Sequence, residues 1–172
     1  MNELLKKYPQ EIQQIKAKYP SDQPGAAVMP LLYLAQAECG YVTRQSIQDI
    51  CELTGASITD IESVIGFYTL FHEEGGRYRI QVCNDLPCAL RGADEFLKNL
   101  CENVGIKLGE TTPDGLFTVE AVTCLAGCHR APALQVQGDG KIVYHENMTV
   151  ESTRKLMDDL REQANSGKEA GK

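Results

Sequence analysis

No stretch of this sequence is apolar for long enough to cross a bilayer; the longest apolar run, residues 26–35, is interrupted by Pro30. The N-terminal Met1-Asn2-Glu3-Leu4-Leu5-Lys6-Lys7 lacks the apolar core of a signal peptide. The expectation is a cytoplasmic protein in a reducing compartment, reaching a membrane only through a partner. Basic residues are in the minority, 17 against 24 acidic for a formal net charge of −7. That balance excludes a duplex-binding surface, which needs a basic stripe to displace counterions, so no nucleic-acid partner is expected. Tryptophan is absent. So are internal repeats, a phosphate loop, a dinucleotide fingerprint, an H-E-x-x-H zinc motif and a serine or cysteine triad, and no residue stands out as catalytic. A thioredoxin-type C-x-x-C is also missing, which argues against dithiol exchange.

What the sequence does have is a globular balance, 42% hydrophobic and 24% charged over 172 residues. A chain of this size removes about 70% of its unfolded surface from water and needs no disulfide staples. Its seven cysteines are an odd number, and too sparse for a secreted disulfide scaffold. Free or metal-bound thiols follow.

The first half reads as helices. Leu4, Tyr8, Ile12 and Ile15 share one face until Pro20-Ser21-Asp22-Gln23-Pro24. A second helix is expected over residues 26–38, closed by Gly40; a third is capped by Thr43 and lined by Ile47, Ile50 and Cys51. Thr59 and Glu62 have capping-box spacing for a fourth, carrying Ile61, Val64, Ile65 and Tyr68 inward. Residues 38–74 hold seven acidic residues against Arg44 alone. A solvated set of helix faces is the plain reading of that window, and a docking face for a basic partner the sharper one. The aromatic run Phe67-Tyr68-Thr69-Leu70-Phe71 is read as packing between the two halves.

After Gly75-Gly76 the period changes. Residues 77–83 alternate polar and apolar as a half-buried strand does, 89–104 return to helical period, and 116–122 read as a strand. Residues 133–137 and 141–144 flank Gly138-Asp139-Gly140, a hairpin signal. Thr149 caps a last helix through residue 160. The expected fold class is α+β: an N-terminal helical bundle over residues 1–75, a thioredoxin-like domain over 76–162, and a flexible tail over 163–172.

The chemistry lies in Cys83-Asn84-Asp85-Leu86-Pro87-Cys88 and Cys124-Leu125-Ala126-Gly127-Cys128. Each cysteine pair follows a predicted strand, so both sit in loops that rigid elements aim together. Four thiolates from two loops suit a four-cysteine metal or cluster site. The spacing C-x4-C and C-x3-C leaves open a [2Fe–2S] cluster with one iron per loop, a structural zinc, or reduced core cysteines. A Rieske centre needs paired histidine ligands, and His72, His129 and His145 show no such spacing. Cys88 is expected just before a helix near Ala89, at its positive end. Leu86, Pro87, Leu90, Leu125 and Pro132 are expected to keep water off the site. Arg91, His129 and Arg130 are candidates for raising a reduction potential, each with an ordinary surface charge as the alternative. Cys51 and Cys101 read as core residues, and Cys39 as core or a mobile thiol.

These residues resemble a known family. The stretch from Val82 to Gly92 and Cys124-Leu125-Ala126-Gly127-Cys128-His129-Arg130-Ala131-Pro132 are similar to the signature of the E-type subunits of NADH–quinone oxidoreductase. Gly66-Phe67-Tyr68-Thr69-Leu70-Phe71 and Pro30-Leu31-Leu32-Tyr33-Leu34-Ala35-Gln36 share the likeness, which spans about residues 26–160. One departure is the order Ala126-Gly127, where the resemblance leads one to expect Gly-Ala. The resemblance implies a thioredoxin-like [2Fe–2S] ferredoxin domain behind a helical bundle, with one cluster per chain held by Cys83, Cys88, Cys124 and Cys128. It also implies a larger flavoprotein partner that carries FMN, a [4Fe–4S] cluster and the NADH site. The chain then acts as an electron-transfer subunit of an NADH-oxidising oxidoreductase, with no turnover of its own. Complex I, NAD-linked or bifurcating hydrogenases and formate dehydrogenases all use such a subunit, and the short leader suggests a prokaryotic type. A zinc-bound or metal-free thioredoxin-like scaffold is the alternative.

Overall fold

The computed structural model describes residues 2–169. They divide into two compact units, one reaching to Gly75 and including Gly138–Gly140, the other made of Gly76–Gln137 and the residues from Lys141 onward.

In the first unit Pro9 splits the expected N-terminal helix. Helix α1, Glu3–Lys7, stops at Tyr8, and α2, Pro9–Lys16, begins on the proline, where no N–H is required. Leu4 and Ile12 still reach one core. A 3-10 turn, Pro24–Ala27, leads into α3, Val28–Cys39, which closes on Gly40 at φ 90°. Thr43 caps α4, Arg44–Thr54, its hydroxyl accepting the Ser46 N–H at 3.0 Å. Helix α5, Ile58–Phe67, is capped by Ser57 rather than Thr59. The Ser57 hydroxyl accepts the Asp60 N–H at 3.1 Å, and the Asp60 carboxylate accepts the Ser57 N–H at 3.2 Å. Ser57 has the extended backbone a cap needs, whereas Thr59 already lies within the first turn. Leu31, Leu32, Ile47, Ile50, Ile61 and Ile65 fill the core of this unit, each burial worth about 1.5–3 kcal/mol. Phe71 is buried against Tyr33, ring centroids 4.7 Å apart, while Phe67 is exposed; only the end of the aromatic run packs inward.

The acidic window has internal work. Asp49 is buried and accepts the Leu4 N–H at 2.9 Å and the Gln45 amide at 3.0 Å. Glu38 pairs with Lys7, and Asp60 serves the cap. Asp49 and Glu38 therefore tie α4 and α3 to α1, and Asp60 closes the start of its own helix, whatever the rest of the window meets.

In the second unit four strands form one sheet among the described residues: β1, Tyr78–Cys83; β2, Phe117–Val122; β3, Leu134–Gly138; and β4, Lys141–His145, in the order β2-β1-β3-β4. Strand β1 runs parallel to β2 and antiparallel to β3. The β3–β4 turn has Asp139 at φ 50° and Gly140 at φ 71°, the positive pair that a two-residue hairpin turn with right-handed twist requires. Strand β1 is buried on both faces, not half-buried. Tyr78, Ile80 and Val82 join the apolar core, while Arg79 pairs with Glu120 and Gln81 bonds to Gln135 at 2.5 Å and to Glu120 at 3.2 Å. A central strand has neighbours on both sides, so its polar residues are buried in a ladder across β2, β1 and β3.

The helix expected over 89–104 is two helices, α6, Leu86–Ala89, and α7, Ala93–Val104, separated by Gly92 at φ 90°. Phe96, Leu97 and Leu100 of α7 share the apolar core with Met157 and Ala164 of the last helix, α8, Val150–Glu169. Thr149 caps α8 as expected, accepting the Ser152 N–H at 3.1 Å. Residues 163–169, expected within a tail, instead continue this helix, because Ala164 buries on the same stripe as Met157. Residues 170–172 of that tail lie outside the described residues.

Candidate metal centre

Sheet topology brings the cysteine loops to one end. In the parallel β1–β2 pair, Cys83 stands opposite Val122, so the chain leaves both strands side by side. The Asn84 N–H donates to Val122 at 3.2 Å, and the Cys83 N–H donates to the Ala133 carbonyl at 3.0 Å. Ligands at the carboxyl ends of neighbouring parallel strands are a recurrent outcome of such sheets.

The first loop is tightly built. Cys83 ends β1 and is 1% exposed. The Asp85 carboxylate accepts the Leu86 N–H at 3.0 Å, Pro87 lies in the first turn, and Cys88, also 1% exposed, lies within α6. Cys88 therefore does not stand before the long helix, as the periodicity suggested; Gly92 delays that helix to Ala93. Cys83 and Cys88 stand close enough for each sulfur to act on the other's titration. Burial acts to raise the Cys83 thiol, but the N–H groups of Leu125 and Asp85 together with the Cys88 thiol outweigh it and hold Cys83 below its ordinary value. Burial first, then the neighbouring Cys83, pushes Cys88 up to about 11.

The second loop is open. Cys124 and Cys128 are exposed, Cys128 opening a 3-10 turn, Cys128–Arg130. Cys128 lies near enough to Cys88 to act on it electrostatically. Leu125 packs against Cys83, Cys88, Ala93 and Ala131. Cys124 and Ala126 adopt positive φ, 39° and 57°. Such conformations cost about 1–3 kcal/mol each and persist where the surroundings over-determine them.

Among the described residues no three His, Cys, Asp or Glu side chains form a group poised around a single ion. The cysteines instead come as a buried pair in one loop and an exposed pair in the other. Two thiol pairs from two neighbouring loops fit a dinuclear, four-thiolate group.

The expected surroundings are partly corrected. Leu86 and Leu90 are 69% and 81% exposed and point away from the sulfurs, while Leu125 packs over them. The one-turn α6 places positions 86 and 90 on its outer side and Cys88 on its inner side. Pro87, Arg91, His129 and Arg130 are exposed, and Arg130 is paired with Glu146 at 2.8 Å. Ala93 and Ala131, the small residues that let the chain close on Cys83 and Cys88, carry no sequence signal. Asp85 does: an acidic residue just before a Leu-Pro helix start is a cap. Of the remaining cysteines, Cys101 is buried and Cys51 half-buried against the core, and the half-buried Cys39 thiol donates to the Tyr41 carbonyl at 3.2 Å.

The fold is a thioredoxin-like α+β domain with two cysteine-bearing loops that leave the carboxyl end of its parallel strand pair side by side. Residues 12–161 match the model of the thioredoxin-like [2Fe-2S] ferredoxin family, and the chain belongs to that family. It is 44% identical to NADH-quinone oxidoreductase subunit 2 of Thermus thermophilus over 72% of this chain and 68% of that one. It is 36% identical to the second E-type NADH-quinone oxidoreductase subunit of Rhizobium meliloti over 88% of each. Among solved structures, an air-oxidized NAD+-reducing [NiFe]-hydrogenase superposes with a TM-score of 0.66 at 18% identity. That likeness shows the fold; it covers 79% of this chain but only 23% of the hydrogenase chain.

Proposed function

We infer that this chain is the [2Fe–2S] electron-transfer subunit of an NADH-oxidising multisubunit oxidoreductase. Cys83, Cys88, Cys124 and Cys128 hold one cluster. When bound, the cluster supplies one-electron acceptance and donation, chemistry that no side chain here provides. The observation that carries the reading is the pair of cysteine loops leaving β1 and β2 side by side, in a chain of this family.

The residues divide the remaining tasks. Cys83 and Cys88 form the buried anchor, and the Leu125 and Asp85 amides stabilise negative charge on Cys83. Cys124 and Cys128 form the exposed edge, where electrons exchange with FMN on a larger flavoprotein subunit that also carries NADH and a [4Fe–4S] cluster. Leu86 and Leu90 stand exposed beside the site, apolar surface suited to burial under that partner. The relatives named above support a respiratory NADH–quinone oxidoreductase as the parent complex; NAD-linked hydrogenases and formate dehydrogenases are the other machines of this type.

The test is anaerobic purification with iron and acid-labile sulfide assays, followed by EPR after dithionite. Two irons, two sulfides and a rhombic reduced signal are expected. Cys83→Ser and Cys124→Ser should each lose most of the iron, while Cys51→Ser keeps it. A colourless protein with one zinc, or equal iron loss in all three variants, would sink this reading.

A further inference from the structure

Helix α5, Ile58–Phe67, buries Ile61 and Ile65 on one side and leaves Ile58, Thr59, Glu62, Ser63, Gly66 and Phe67 exposed on the other. Phe67 is 78% exposed, although phenylalanine is ordinarily a core residue. Its ring meets Tyr68 edge-on with centroids 5.0 Å apart, and Tyr68 meets the buried Phe71 at 6.5 Å. A row of rings thus runs from the core of the first unit out to the end of α5. Gly66, beside Phe67, has no internal reason to be glycine: it lies within the helix, and a Cβ there would meet nothing within 4 Å. Glycine weakens a helix relative to alanine, so the bare backbone gains nothing inside this chain. Charge along this stretch has one sign. Residues 45–76 contain no lysine or arginine, and Glu62, on the open face, and Glu73, two residues past Phe71, are both exposed.

We propose that the open face of α5 docks a basic segment of another subunit, whose lysine or arginine side chains lie over the Phe67 and Tyr68 rings and against Glu62 and Glu73, while Gly66 admits the segment's backbone. This rests on the reading of the chain as one subunit of a larger assembly. Charge selects the occupant. A second copy of this face would set glutamate against glutamate, and nucleic acid or an anionic lipid surface would be repelled. A cation gains from the ring faces and from the carboxylates together. An exposed aromatic anchor beside a flat, small-residue surface is also the usual anatomy of a protein interface.

The test measures binding of the purified, cluster-loaded chain to the remaining subunits of its complex by calorimetry at low and high salt, with iron content read on the same samples. Affinity should fall as salt rises. Phe67→Ala and Glu62→Lys should each weaken binding about tenfold or more, with iron retained. Gly66→Ala is the sharper variant. It should raise the melting temperature of the free chain and still weaken binding, opposite signs that a purely structural glycine does not give. Hydrogen exchange at the amides of residues 58–68 should slow in the parent complex relative to the free chain. Parental affinity in any of the three variants, binding indifferent to salt, or exchange that does not slow overturns the proposal while leaving the assembly intact. Dimerisation of the free chain through this face overturns it as well. A parent that binds no other subunit overturns both this proposal and the multisubunit reading, whatever its iron content.

Discussion

Asp49 is a carboxylate inside the core of the first unit, tolerated because its oxygens accept from the Leu4 N–H and the Gln45 amide. It fills the place of a helix N-terminal partner for α1, since Leu4 is one of the first-turn donors without an intrahelical acceptor. Asp49→Ala leaves that donor buried and unpaired, so urea denaturation should show a loss of about 1–3 kcal/mol, with iron content unchanged. An unaltered midpoint would mean water replaces the carboxylate. In the sequence Asp49 is one acid among seven in a charged window, and nothing in its neighbours marks it as internal. The cysteines were more legible. Their spacing alone sets Cys83, Cys88, Cys124 and Cys128 apart as two close pairs, and both pairs do fall in loops that follow neighbouring parallel strands. That Cys83 and Cys88 are buried while Cys124 and Cys128 are open was not legible, since burial depends on Ala93, Ala131 and Leu125 arriving from elsewhere.

At the scale of elements, Gly92 is the joint between α6 and α7, and a Cβ there would meet nothing within 4 Å. Gly92→Ala should therefore cost only the left-handed backbone, about 1–2 kcal/mol in a denaturation experiment, and still load iron. Loss of iron would show that the joint also aims Cys88. The turn before β2 is tied to α8 by Asp114, which accepts from the Arg161 guanidinium at 3.0 Å and from the Leu116 N–H at 3.1 Å. Burial acts to raise the Asp114 carboxyl, but the Thr112 hydroxyl, Leu116 N–H and Arg161 outweigh it and leave it below its ordinary value. A depressed carboxyl stabilises the fold above the unfolded pKa and loses that contribution as pH falls through the folded one. Asp114→Asn should thus destabilise the protein at neutral pH, and the difference should shrink in acid; a gap constant with pH would assign the effect to lost packing. Helices and strands were mostly visible as periodicity, but their breaks were not. The break at Gly92, the start at Pro9 and the continuation of α8 past residue 162 are settled by backbone angle and by packing against neighbours that periodicity does not see.

For the molecule as a whole, no helix among the described residues is long and apolar enough to cross a membrane. Leu90 is the most exposed large apolar side chain among the described residues, and under the proposed function it is the candidate contact for the flavoprotein partner. Leu90→Asp should weaken association with the flavoprotein subunit about tenfold or more in a pull-down or calorimetric titration, without changing iron content or thermal stability. Full affinity would place the partner elsewhere. The amino-acid sequence by itself determined the α+β class, the change of period after Gly76, the two closely spaced cysteine pairs and the poverty of basic charge, because all of these are properties of residue type and local spacing. Only the tertiary structure decided that the donors fall into a buried and an open pair, that α6 turns Leu86 and Leu90 outward, and that Ala126 carries the strain of the second loop. Those outcomes depend on the parallel register of β1 with β2 and on the Cys83–Ala133 hydrogen bond, contacts between residues far apart in the chain whose geometry no local pattern specifies.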